Sequence, residues 1–130
     1  MARFPFIKHL FFPYMAVIVM VAVFPFSRAG IEGLNHTYVM SFRLDHILHM
    51  VAFLPLYPLG SIKFRATKLS SRIFLLLAGL VIAALAEFVQ FFIAYRSFNP
   101  MDLLANVSGI MVGFLLWNLM MAVAGNRRFY

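Results

Sequence analysis

Four runs of mainly apolar residues, about 10–26, 44–62, 73–93 and 102–124, leave this 130-residue chain few ways to fold. Each is about long enough to cross the hydrocarbon of a bilayer as a helix. Hydrophobic residues make up 64% of the sequence and charged residues 12%, against roughly half and about a quarter in a soluble domain. A fold this small leaves much of its surface exposed, so one core cannot hide that excess. Lipid must cover it. The sequence predicts an all-α, integral membrane four-helix bundle, a single domain over residues 1–130.

The breaks between the runs are polar or carry proline. Residues 27–43 form a polar, Gly-containing connection, and residues 94–101 a short turn. Pro13 is placed in the first turn of helix one, where a missing N–H matters little, and Pro100 near the first position of helix four. Pro55 and Pro58 fall inside the second run and predict a kink or early unwinding there. The first run is expected to stay as a helix rather than leave as a signal peptide. Ser27-Arg28-Ala29 is a poor cleavage site, and the run is long for a signal core.

Charge sets the orientation. The net charge is +7, but the Lys and Arg residues sit at the ends of apolar runs, which argues against a nucleic-acid partner and for lipid phosphates and topology signals. Four spans place Arg3, Lys8, the 63–72 loop and Arg127–Arg128 on one side, eight cations in all, against Arg28, Arg43 and Arg96 on the other. The positive-inside rule makes the first side cytoplasmic, with both termini in. With no cysteine in the chain, no disulfide or thiolate site is available.

Polar residues inside apolar helices are costly and are candidates for function or for buried pairing. They gather at one depth. Asp45, His46 and His49 open helix two, Glu87 and Gln90 close helix three, Arg96 lies in the following turn, and Asp102 and Asn106 open helix four. All belong to the outer half of the bilayer in this topology. Glu87, some six residues from the end of its run, would lie about 9 Å deep. Asp45 and His49 share a helix face. Glu87 and Gln90 share another, extended by Gly79 and Ala83. Asp102, Asn106, Gly109 and Gly113 share a third, and the glycines make a small-xxx-small pattern through which helix four is expected to pack on helix three.

Each group has a functional and a structural reading. Glu87 is suited to general acid or base work after burial, or to an interhelical pair with Arg96 or His49. Asp45 or Glu87 would orient His49 as a base in a catalytic dyad, or His49 makes an interhelical hydrogen bond. Arg96 fits a phosphate or pyrophosphate bidentately, or anchors the chain at the interface. Asp102 serves as a ligand-binding group or caps helix four. Gln90 and Asn106 would orient the ligand or the carboxylates, and His46 is a further candidate ligand-binding residue. Asp45, His49, Glu87 and Asp102 are also of types that bind metals, but no HExxH or Cys-rich spacing supports that, so no metal and no cofactor is expected. Ser97 and Asn99 are taken as turn formers, His9 and His36 as interfacial, and Tyr14, Tyr38, Tyr95 and Tyr130 as aromatic-belt residues.

The stretch AEFVQFFIAYRSFNPMDLLANVSGIMVG resembles the E-x-x-Q…R…D-x-x-x-N-x-x-G signature of VanZ-like membrane proteins, and DHILHMVAF resembles their D-K-x-x-H segment. The resemblance spans about residues 44–116 in matching order. The chain departs from it at His46, where the family usually carries Lys. The resemblance implies a cell-envelope role at the outer face of the bacterial cytoplasmic membrane, and the founding members are associated with teicoplanin resistance. Its implied partners are membrane lipids and a lipid-linked envelope precursor or glycopeptide. An enzyme acting on a lipid head group, and a non-catalytic scaffold, are the alternatives.

Overall fold

A computed structural model describes residues 6–23, 38–39, 42–92 and 99–124. Helix α1 covers Ile7–Val23. A two-residue hairpin follows, β1 (Tyr38–Val39) pairing antiparallel with β2 (Phe42–Arg43). The second span is α2 (Leu44–Phe53) and α3 (Leu56–Phe64), the third α4 (Leu69–Gln90), and the fourth α5 (Pro100–Ala124). The architecture is all-helical, with three long apolar spans and a shorter apolar N-terminal helix.

Proline sets two local features. Helix α1 starts at Ile7, so Pro13 lies inside it and not in its first turn. Nothing in Ile7-Lys8-His9 stops a helix, so the helix begins before the apolar run does. In the second span the ladder breaks at Leu54–Pro55 and resumes at Leu56. Pro55 and Pro58 have no N–H to offer the carbonyls of Val51 and Leu54. At this break the Tyr14 hydroxyl donates to the Ala52 carbonyl. Tyr14 is therefore an interhelical tie, not simply a ring at the lipid interface. Helix α3 closes with Arg65 in the left-handed region (φ 49°), and the Ser61 carbonyl accepts the N–H groups of Arg65 and Ala66.

The bundle is apolar outside and polar within. Phe74, Leu77, Val81, Leu85 and Phe88 of α4 and Leu104, Leu115, Leu119 and Val123 of α5 are exposed, while Glu87, Asn106 and Ser61 are fully buried. Only lipid suits such an exterior. The buried residues of α4 are Gly79, Ala83, Glu87 and Gln90, one face at helical spacing. Gly79 meets Ile110 of α5 and Leu56 of α3 in ordinary contact. Phe11, Ile18, Phe53, Leu56, Ala83 and Ile110 form the main apolar core, and Tyr57, Trp117 and Met121 a second one.

The glycines of α5 do not pack on the third span. A Cβ on Gly109 would stand 2.2 Å from the Met50 carbonyl oxygen, and one on Gly113 2.2 Å from that of Leu54. Both face the second span, backbone against backbone. The proline break accounts for the Gly113 contact. The Leu54 carbonyl, which Pro58 leaves without its usual helical donor, lies directly over Gly113.

A candidate polar site at one end of the bundle

The N-termini of α2 and α5 and the C-terminus of α4 meet at one end. Helix α5 packs most closely on α2 and also meets α4. Asp45 stands in the first turn of α2 and Asp102 in the first turn of α5, where the helix dipoles favour negative charge. Asp102 is not the cap of α5. Asn99 takes that role, its Oδ1 accepting the Met101 N–H at 3.1 Å while its carbonyl accepts from Asp102 and Leu103. The Asp102 carboxylate thus faces the histidines of α2. Sequence reading places Pro100 near the first helical position but takes Asn99 just before it as a turn former; the missed signal is that an N-cap residue type precedes that proline.

A chain of side chains links three helices at the floor of this cluster. Asn106 donates through Nδ2 to Glu87 Oε1 at 2.9 Å, and its Oδ1 lies 3.0 Å from His49 Nδ1. An amide oxygen only accepts, so His49 Nδ1 carries the proton and Nε2 is left for other chemistry. His49 Nδ1 is also 3.8 Å from Glu87 Oε1. Glu87 and Asn106 have no exposure at all. This arrangement ties three helices together, and its imidazole is a group of the type used in proton transfer.

Nearer the opening, Asp102 lies between two imidazoles. His46 Nε2 is 3.3 Å from Asp102 Oδ1, and His49 Nε2 is 4.0 Å from Asp102 Oδ2. The three side chains retain 13–24% exposure, so this layer is reachable. Asp45 is buried beside it and contributes a carboxylate oxygen within 4.8 Å of ligand atoms on His46 and Asp102. Gln90 is buried on the same face of α4 as Glu87. The structure thus brings Asp45, His46, His49, Glu87, Asp102 and Asn106 to one end. Arg96 and Tyr95 lie outside the described residues, as do Ser97, His36 and Tyr130. An apolar groove of about 600 Å³, lined by Phe11, Leu56, Tyr57, Phe64, Phe74 and Ile110 among others, is separate from this cluster.

At the opposite end, Arg72 donates through Nε to the Ala66 carbonyl at 3.2 Å and through Nη1 to Asn118 Oδ1 at 3.1 Å. Lys63 sits over the Phe12 ring at 4.7 Å. Two cations of the basic loop therefore also hold helices together.

Apolar spans enclosing a buried carboxylate and half-buried imidazoles define a multi-pass membrane protein with a polar cluster inside its bundle. The VanZ/LLP1 family matches residues 11–121, nearly the whole helical region, and the chain belongs to that family. Comparison with curated proteins and with solved structures gives no match.

Proposed function

We propose that this chain is a bacterial cell-envelope protein of the cytoplasmic membrane, with a polar pocket open to the outer leaflet that binds or acts on a lipid-linked or amphiphilic envelope molecule. The observation that carries the reading is the His49–Asn106–Glu87 chain, in which Glu87 and Asn106 are fully buried while His49, beside His46 and Asp102, keeps some exposure. A cluster needed for packing alone has no reason to stay partly open. In this reading both termini and the basic loop are cytoplasmic, as the positive-inside rule requires. Arg96 grips an anionic head group. Gln90 and Asn106 orient ligand or carboxylates, and the resemblance to VanZ-like proteins suggests the link to teicoplanin. An enzymatic version rests on the tautomer of His49: with Nδ1–H held by Asn106, Nε2 is placed as a base, Asp45 and Glu87 supporting its charge.

The test is expression of the wild type, Glu87→Gln and Arg96→Ala in a teicoplanin-sensitive bacterium, with membrane levels and detergent elution profiles matched. The wild type is expected to raise the inhibitory concentration of teicoplanin, and both well-assembled variants to return it to the vector baseline. Full protection by both variants would sink the pocket. A protective wild type whose variants lose function only by misassembly favours a scaffold. Because the chain has no cysteine, single cysteines introduced in the 63–72 loop and beside Arg96 report the topology directly. Labelling of the loop from outside would invert the assignment.

A further inference from the structure

We propose that Asp45, His46, His49 and Asp102 form a binding site for a divalent transition-metal ion of the zinc class. The starting point is a close contact that is not a hydrogen bond. His46 Nε2 and Asp102 Oδ1 are both buried and 3.3 Å apart, yet neither has a hydrogen-bond partner among the described residues. Two such atoms facing each other without hydrogen-bond geometry are the arrangement an intervening cation would complete. In a tetrahedral zinc site with bonds near 2.0–2.1 Å, neighbouring ligand atoms stand about 3.4 Å apart. The His46–Asp102 separation matches that edge. Asp45 places a carboxylate oxygen within 4.8 Å of both.

His49 supplies the second, independent observation. Its Nδ1–H is held by Asn106 Oδ1 at 3.0 Å, and Asn106 is in turn held by Glu87. A metal-bound histidine characteristically has its other ring nitrogen donating to a fixed acceptor, which sets the tautomer and aims the lone pair. Here that lone pair belongs to Nε2, 4.0 Å from the other oxygen of the same Asp102 carboxylate. Asp45, His46 and Asp102 already place ligand atoms within 4.8 Å of one another, and His49 would move inward to complete four ligands.

The charges also fit. Two carboxylates and two neutral imidazoles around a dication make a site of zero net charge, the form least costly to hold near a bilayer core. Mixed imidazole and carboxylate donors suit zinc and its neighbours in the first transition series rather than magnesium or calcium. The residual exposure of His46, His49 and Asp102 provides the entry path. The inference goes beyond the ligand reading above and gives the His49 Nε2 lone pair to the ion in place of a base role; ion binding is read on protein without lipid or antibiotic, so either can fail alone.

The experiment uses the full chain purified in detergent without a polyhistidine tag, in a His9→Ala/His36→Ala background, so that His46 and His49 are its only imidazoles. After chelation and dialysis, zinc is returned and X-ray absorption counts imidazole ligands. Cobalt in parallel reports tetrahedral geometry through its visible bands. One zinc per chain with two imidazoles and intense cobalt bands is expected. Asp102→Asn is expected to weaken zinc by about tenfold or more. No retained zinc, or zinc without imidazole ligands, overturns the proposal, and these readings need no variant within the cluster. Equal zinc affinity in a folded Asp102→Asn protein overturns it too.

Discussion

Helix α5 carries two asparagines, about 18 Å apart along its axis, and they do opposite work. Asn118 hands its amide hydrogens to the Phe114 carbonyl of its own helix and takes a hydrogen bond from Arg72, whose Nε goes to the Ala66 carbonyl. That end resembles an ordinary helix-to-loop clamp, with donors matched to acceptors. Asn106 stands between a fully buried Glu87 and His49, and leads to a layer in which Asp102 faces two imidazoles without satisfactory hydrogen bonds. Groups built for packing alone tend to be satisfied, since an unmade buried hydrogen bond costs about 1–3 kcal/mol. The contrast leaves the Arg72 end explained by fold maintenance and is what motivates the ligand proposals at the Asp102 end.

The largest expected effect lies between the two ends and should spare neither. Gly113→Leu puts a Cβ 2.2 Å from the Leu54 carbonyl oxygen, against backbone that cannot move aside like a side-chain tip. The second and fourth spans must separate, at a cost of about 3 kcal/mol or more. Loss of the monodisperse detergent peak checks this. A protein that elutes and melts like the wild type would show that the close helix crossing is not what holds the ends in register.

Glu87→Ala comes next and acts on the polar end. It removes the acceptor of the Asn106 amide and leaves a void where a fully buried side chain stood. A loss of about 2–3 kcal/mol is expected, read as a lower melting temperature in detergent. Glu87→Gln, which keeps the volume, should recover most of that stability. A Gln variant as unstable as the Ala variant would mean that the carboxylate is needed chiefly to hold the helices, and the contrast between the ends would blur.

Much of this plan can be read from residue spacing. The apolar runs mark the spans, and the three-and-four spacing of Gly79, Ala83, Glu87 and Gln90 marks the face that α4 buries. Spacing defines a face but not its partner, so the glycines of α5 pointed to the third span when they belong to the second. What decides the partner is close backbone packing, Gly109 on the Met50 carbonyl and Gly113 on that of Leu54, a property of three-dimensional packing. His46 shows the same limit. One residue from Asp45, it lies about 100° around the helix, so phase alone separates it from the Asp45–His49 face. Asp102 approaches from another helix and joins both. Its freedom to do so depends on Asn99, whose side chain takes the cap that Asp102 was otherwise suited to fill.

Arg72→Ala gives the smallest effect and tests the other half of the comparison. The change removes a charged hydrogen bond to the Ala66 carbonyl and another to Asn118 Oδ1. Arg72 keeps partial exposure, so water replaces part of what is lost, and a cost of about 1–2 kcal/mol is expected. Thermal melting in detergent measures it. The sharper readout is what stays constant. Zinc affinity and the inhibitory concentration of teicoplanin should match the wild type wherever the protein is folded, because about 24 Å of helix separates Asn118 from Asp102. A folded Arg72→Ala protein with altered zinc affinity would couple the two ends. The clamp would then belong to the site, and α5 would transmit strain along its length instead of dividing the work between its asparagines.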